Sequence, residues 1–411
     1  MELTELKRIF DDTDYVRRSG TPAEKQAADY LLGRCEALGV KAWLEEFPVP
    51  MGEIEAAEVL ADGRSIPCKG LSCCGSGSAE GELYYMPGLD PVSIAGAKDK
   101  IVLVDNMGVD HFVYQDLMKA GARGILFQCG SLHTPDRDIE ERDLRALVVG
   151  EERKVLCAML HAETAMQLVK TGAKQVRITV QQREYEGKSH NVVAELPGKR
   201  EEWIVLTAHY DTTAHSHGAY DNMTGCAGLL WVMEALKDRT RNYGLRFVFC
   251  GSEERGLLGS RAYVEAHEKE LEKAALNINL DMIGTFMGRF ICCVSAEEKL
   301  LHYIEYLCAL RGWGMNGRQD VYSSDSTPFA DSGVPAVSFA RIAPPSQAHI
   351  HSRYDTKALL SEAQMVSDIA FLADFTLAMA DAVKCPVARE IPENVKTKLD
   401  EYLLRKRRKD G

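Results

Sequence analysis

The stretch HYDTTAHSHGAYDNMTG, from His209 to Gly225, gathers three histidines and two aspartates directly behind the apolar run WIVLTA. Solvated loops draw mainly on Ser, Asn, Gly and Lys, and this chain has only 11 histidines in 411 residues. Further groups of the same kind follow apolar runs later in the chain: Glu253 and Glu254 after RFVFCGS, Asp281 after NINL, and His351 within SQAHIHSRYDT. Imidazole nitrogen and carboxylate oxygen without thiolate are donors suited to divalent Zn, Co or Mn. In the H-x-D pattern an extended backbone returns both side chains to one side, so Asp211 is expected to accept the other ring N–H of His209. Adjacent carboxylates at Glu253 and Glu254 point apart, so one can bind metal while the other takes a proton from water, the division that metal-assisted hydrolysis requires. Residue types alone do not separate bridging from terminal ligands.

These groups need a scaffold that brings distant segments together. TPAEKQAADYLLGRCEAL, from Thr21 to Leu38, has a capping Thr, Pro in the first turn and apolar positions at helical spacing, and predicts a helix. VKAWLEEFPV behind it alternates and ends in Pro, as a strand does. QVRITVQQREYEG, HNVVAELPG and EEWIVLTAHYD read as strands in close order. GCAGLLWVMEALKD then reads as a helix, LRFVFCGS as a buried strand, LGSRAYVEAHEKELEK as a helix and ALNINLDMIG as a strand. Strands alternating with helices predict an α/β fold, a mostly parallel mixed sheet covered on both faces, and ligands of such sheets collect beyond the carboxyl ends of the strands. Between these parts GELYYM, KIVLVDN and GILFQC surround the helical VYQDLMKAGA, which predicts an inserted α+β module. The expected division is a discontinuous catalytic domain at 1–54 and 173–390, an insertion at 55–172 and a basic tail at 391–411.

Composition sets limits on function. At 45% hydrophobic and 27% charged the chain is of ordinary globular type. A net charge of −12 disfavours a hold on phosphate backbones, so no nucleic acid partner is expected. LLRKRRKDG at the end is expected to be a solvated tail. The first residues show no continuous apolar core of a signal peptide, and no apolar run approaches the roughly 20 residues of a spanning helix, so a cytoplasmic protein without a membrane partner is expected. The 12 cysteines show no C-x-x-C spacing and are expected to be reduced, with the neighbours Cys73–Cys74 and Cys292–Cys293 acting as buried small hydrophobes.

The ordered series HYD, GAYDNMTG, EERGLLGS, NLDMIG, SSDSTPFADSGVPA and HSRYDT resembles the motif series of the di-zinc aminopeptidase and glutamate carboxypeptidase family. GAKDKIVLVDNMGVDHFVYQDLMKAGARGILFQ resembles the protease-associated domain, which would make the insertion a lid that limits access to peptides. By the family resemblance His209 and Asp281 would bind one zinc, Glu254 and His351 the other, and Asp221 both. Glu253 would be the general base and Asp211 would orient His209. The peptide bond after the bridging aspartate, Asp221–Asn222, would be cis. Tyr322 would be a candidate for stabilising the oxyanion. One departure is Ser326, where the family often carries a histidine that is not a zinc ligand. His215, His217 and His349 lie outside the matched positions and read as loop histidines.

The resemblance implies two Zn2+ per chain, with Co2+ or Mn2+ as substitutes, a peptide substrate, and hydrolysis from the N-terminus. The alternatives are a carboxypeptidase of the same family, a single-zinc glutaminyl cyclase, and a non-catalytic binding protein on the same scaffold. Oligomeric state is not legible in the residues.

Overall fold

Two apolar runs, WIVLTAH and GLRFVFC, are buried almost throughout and lie side by side as parallel strands, Trp203–His209 and Gly244–Cys250. Their side chains alternate between two cores. Ile204, Leu206, Phe247 and Phe249 enter the larger one, and Val205, Val248 and Cys250 the smaller. The computed structural model describes residues 2–407. It divides the chain into one unit of the residues up to Val49 with Lys188–Tyr402 and a second of Pro50–Gly187 with the residues from Leu403.

In the first unit the sheet runs Asn316–Gln319, Arg289–Ser295, Ala336–Ile342, Ala274–Leu280, Trp203–His209, Gly244–Cys250 and the end of Gln175–Leu196. The central strands pair parallel and the flanking ones include antiparallel pairs, the mixed sheet expected. Helices Pro22–Ala37, Thr224–Leu236 and Glu362–Ala380 supply Leu31, Leu230 and Phe375 to the larger core, and Leu258–Ala266 supplies Tyr263 to the smaller. Thr21 caps the first of these, its side chain accepting the Glu24 N–H. Glu362–Ala380 is long and apolar enough to span a membrane, but its apolar character is spent on the core through Met365, Ile369, Leu372 and Phe375.

Parallel pairing aligns the carboxyl ends of the central strands. His209 stands opposite Cys250, and Thr207 opposite Asn279, so the residues that follow these strands emerge at one edge.

The second unit has its own core, from Ile101, Val102, Leu117, Ile125, Leu126 and Met159 among others. Strands Gly77–Met86, Lys100–Val104, Gly124–Cys129 and Leu156–His161 pair parallel in that order, with the helix His111–Ala120 between the second and third and Ala162–Thr171 following the last. Where 54/55 and 172/173 were expected, the units divide at Val49/Pro50 and Gly187/Lys188. Lys41–Ala61 is a single strand of 21 residues that runs through the expected 54/55 boundary, and Gln175–Leu196, a single strand of 22 residues, begins after 172/173 and runs on through 187/188. Pro48 does not end the first of them, as proline is tolerated where a strand needs no N–H.

Two other expectations change. The helix from Leu258 stops at Ala266, where His267 turns onto Glu45 at 3.0 Å and stacks on Tyr263, and Glu270–Lys273 is a separate short turn. The segment expected as a basic tail from 391 begins with the helix Glu393–Tyr402, whose Val395 and Leu399 are buried against Ala330 and Ala336; residues 408–411 lie outside the described residues. All 12 cysteines are free, and 11 of them are buried.

Candidate active site

The strand ends bring five side chains into two overlapping trios. His209, Asp221 and Asp281 form one, and Asp221, Glu254 and His351 the other, with the ligand-type atoms of each within 4.8 Å of one another. His209 Nε2 lies 3.1 Å from Asp221 Oδ1 and 3.8 Å from Asp281 Oδ1. His351 Nε2 lies 3.2 Å from Asp221 Oδ2 and 3.2 Å from Glu254 Oε1. Each oxygen of Asp221 therefore serves a different trio. Sequence could not separate the carboxylate roles; in this arrangement only Asp221 belongs to both trios.

The loops that carry these groups are held by hydrogen bonds from residues that sequence reading did not single out. The Asp221–Asn222 peptide bond is cis. Asn222 donates from Nδ2 to the Leu280 carbonyl at 2.9 Å, and its Oδ1 accepts the Met282 N–H at 3.0 Å, so the Asp221 loop is stapled to both sides of Asp281. Fully buried Asp355 accepts the N–H groups of Tyr220 at 2.8 Å and Asp221 at 3.1 Å. Burial first, and then the charge of Asp221, pushes Asp355 up to about 7. Ser252, Met282 and His351 all adopt left-handed backbone, with φ of 55°, 66° and 61°. Such conformations are disfavoured for side-chain-bearing residues, and here they turn the chain sharply just before Glu253, just after Asp281 and at His351 itself.

Asp211 does more than expected. Its Oδ1 is 3.5 Å from His209 Nδ1, a long contact, and Nδ1 has no closer acceptor among the described residues. The two Asp211 oxygens also accept the backbone N–H groups of Glu253 at 2.8 Å and Glu254 at 3.2 Å. Asp211 thus fixes the Glu–Glu turn more firmly than it fixes the imidazole, because two adjacent amides turned toward one carboxylate satisfy both of its oxygens.

The electrostatics call for a cation. Burial opposes charge on His351, but the Asp221 and Glu254 carboxylates outweigh it and push its pKa up to about 11. Glu253, which belongs to neither trio, is pushed well above the usual carboxylate range, first by burial and then by the charges of Glu254, Asp325 and Asp281 against the opposing pull of His209. Asp281 is 4% exposed, and while its Oδ2 accepts the Ser324 hydroxyl, its Oδ1 has no hydrogen-bond partner among the described residues. An ion with bonds of 2.0–2.2 Å in tetrahedral geometry separates its ligands by about 3.4 Å. The separations of 3.1–3.8 Å within the trios match that span. The donor set, the spacing and the bare Asp281 oxygen all fit divalent zinc.

Tyr322 is raised above the usual phenol range by burial and then by the charges of Asp281 and Asp221, so its side chain belongs to the same neighbourhood. Ser326, the departure from the family pattern, is buried with its hydroxyl 2.7 Å from that of Ser338. Of the extra histidines, His217 contacts Asp14 at 2.7 Å, the His349 carbonyl accepts the Ser352 hydroxyl, and none of His215, His217 and His349 is in either trio.

Residues 191–372 match the family model described as peptidase family M28. Aminopeptidase YwaD of Bacillus subtilis is 26% identical over 344 residues, 79% of this chain and 71% of the relative. The probable lipoprotein aminopeptidase LpqL of Mycobacterium tuberculosis is 24% identical over 69% of this chain and 58% of its own length. Among solved structures, the zinc aminopeptidase BSAP of Bacillus subtilis superposes with a TM-score of 0.76 at 21% identity, covering 95% of this chain and 98% of that one, which shows the shared fold. The segment that matches peptidase family M28 is therefore the one that carries all five converging side chains.

Proposed function

We propose that this protein is a zinc aminopeptidase that holds two ions, one between His209, Asp221 and Asp281 and one between Asp221, Glu254 and His351. The observation that carries the reading is Asp221, with one oxygen in each trio. The names of the curated relatives support the activity and the class of substrate, a peptide with a free N-terminus. Bound zinc would supply the polarisation of the scissile carbonyl and the acidification of water.

The chain's own residues do the rest. Glu253 is the general base: it takes the proton of the attacking water and delivers it to the departing amine. Two features equip it for this. Its backbone N–H is tied to Asp211, and its buried setting disfavours its charged form, so a proton is welcome on it. Tyr322, whose phenol feels the charges of Asp281 and Asp221, would donate to the carbonyl oxygen as negative charge builds there. A single-zinc cyclase has no use for a second filled trio, and a binding protein has no use for the unligated Glu253.

The test is hydrolysis of a library of free-amine peptides against the same library N-acetylated, with and without a chelator, alongside zinc per chain by mass spectrometry. Two zinc ions and chelator-sensitive release of N-terminal residues from the free-amine set alone are expected. Equal cleavage of both sets overturns the aminopeptidase reading, and chelator-resistant activity overturns the metal mechanism.

A further inference from the structure

Arg17 is fully buried, and all five hydrogen bonds of its guanidinium go to backbone carbonyls. Two acceptors, Thr13 and Tyr15, lie in its own segment at 2.7 and 3.0 Å. The other three lie on the loop that joins two of the converging residues: Tyr210, between His209 and Asp211, at 2.7 Å, then His217 at 2.6 Å and Gly218 at 2.9 Å, shortly before Asp221. The backbone is tied as well. Arg17 N–H donates to Thr212 Oγ1 at 2.9 Å, Thr212 N–H donates to the Arg17 carbonyl at 3.2 Å, and Arg18 bridges Thr212 in parallel.

Gly218 shows how closely the loop wraps this cation. Its φ is +56°, and a Cβ there would stand 2.8 Å from a guanidinium nitrogen and 2.7 Å from the Asp221 carbonyl. Only glycine permits both the turn and the approach. Arg is also specifically required. Five donors in a rigid planar fork can hold carbonyls at both ends of a loop at once, which the three donors of a lysine ammonium cannot.

We infer that Arg17 is a positioning residue for the metal centre, a buried guanidinium template around which the 210–218 loop folds so that His209 and Asp221 are set at their separation before any ion arrives. The inference rests on the two-ion reading above. Its physical basis is preorganisation: a loop already held in its binding geometry loses less freedom when the ion is bound. The N-terminal segment is by this account a working part of the metal site, although it supplies no ligand.

The test uses the full chain as wild type, Arg17→Lys, Arg17→Ala and Thr212→Val, with zinc affinity measured by competition against a fluorescent chelator and folding followed by near-ultraviolet circular dichroism. Arg17→Lys is expected to bind zinc about 10- to 100-fold more weakly, the range typical for loss of groups that orient ligands. Thr212→Val, which keeps the shape and loses one acceptor, is expected to show a smaller loss. Methylguanidinium is expected to restore zinc affinity to Arg17→Ala and to leave wild type unchanged. A folded Arg17→Ala with wild-type zinc affinity overturns the inference. So does a weakened Arg17→Ala in which methylguanidinium raises Tm without improving zinc affinity, since that is the signature of a stabilising residue alone. Should Arg17→Ala not fold, wild-type affinity in both Arg17→Lys and Thr212→Val overturns it. A wild-type chain that takes up no zinc sinks the two-ion reading along with this one, whereas normal zinc uptake by wild type and variants alike sinks this one only.

Discussion

Glu253 and Glu254 are neighbours in the chain with different surroundings: Glu254 Oε1 meets His351 at 3.2 Å, while Glu253 stands outside both trios. Exchange of Glu253 for Gln keeps the shape and removes the base, so Glu253→Gln is expected to retain wild-type zinc per chain and lose about 10²- to 10⁴-fold in kcat. Near-normal turnover in that variant would remove Glu253 from the mechanism. Asp221→Ala differs because it strips a ligand oxygen from both trios, and it is expected to lose metal from both, as read by zinc content after dialysis. A third residue gives a pH signature. Glu24 is 1% exposed and accepts hydrogen bonds from Ser252, Ser189 and Gly20, yet burial first and the Asp211 charge second push it up to about 8. Its folded value is above its unfolded one, so the native state keeps a proton that the unfolded chain loses. That contribution to stability is full below about pH 4.5 and is lost as pH rises through about 8, with a slope of at most ~1.4 kcal/mol per pH unit. Urea midpoints of the metal-free protein between pH 5 and 8 are expected to fall for wild type and to flatten in Glu24→Gln.

At the scale of elements, the turn after Asp281 is anchored to the long helix Glu362–Ala380. Asp368 on that helix is fully buried, pairs with Arg341 and accepts the Gly284 N–H at 2.9 Å; Arg341 in turn donates to the Gly288 carbonyl at 3.1 Å and its N–H to the Met282 carbonyl at 2.7 Å. Removing one partner of such a pair leaves the other charge buried and unmatched. Asp368→Ala is therefore expected to cost about 3–5 kcal/mol by denaturant unfolding. Replacing both residues together by apolar ones of similar volume is expected to cost much less, which a double-mutant cycle would read out. Equal losses in the single and double variants would show that the Gly284 and Gly288 bonds carry the anchoring instead.

For the whole molecule, two separate cores predict two separable stabilities. A chain in which residues 51–186 are replaced by a short hairpin turn is expected to fold and to bind zinc, because both trios and the Arg17 and Glu24 contacts lie within the first unit. Zinc binding is also expected to raise the unfolding free energy of the first unit by about 4 kcal/mol at a thousandfold excess over its dissociation constant. A chelator should then lower its melting transition and leave that of the 50–187 unit in place, as calorimetry would show. A single transition moving as one would refute separability.

The chemistry-bearing positions were legible because they stand out by type. Histidines and carboxylates directly behind apolar runs mark strand ends, and parallel pairing obliges those ends to meet at one edge of a sheet. His209, the pair Glu253–Glu254, Asp281 and His351 could thus be named together from residue types and order, while the choice of Glu254 over Glu253 as ligand came from the family resemblance. The long strands that cross between the units were not legible, because Pro48, Pro50 and a change of composition look like termination when read locally. The helix at Glu393–Tyr402 was hidden for the opposite reason: its charges read as part of a basic tail, while the apolar partners of Val395 and Leu399 lie on Ala330 and Ala336, some sixty residues earlier. Asp211 shows the same limit at a single residue, since which donor a carboxylate accepts depends on which amides the fold turns toward it. Arg17 is the extreme case, for its partners are backbone carbonyls, which every residue type possesses and no sequence pattern marks. Side-chain identity therefore determined which groups could hold an ion. Bridging, orientation and the fixing of loops were decided only in three dimensions, because they depend on distances between backbone and side-chain atoms that nothing in the order of residues specifies.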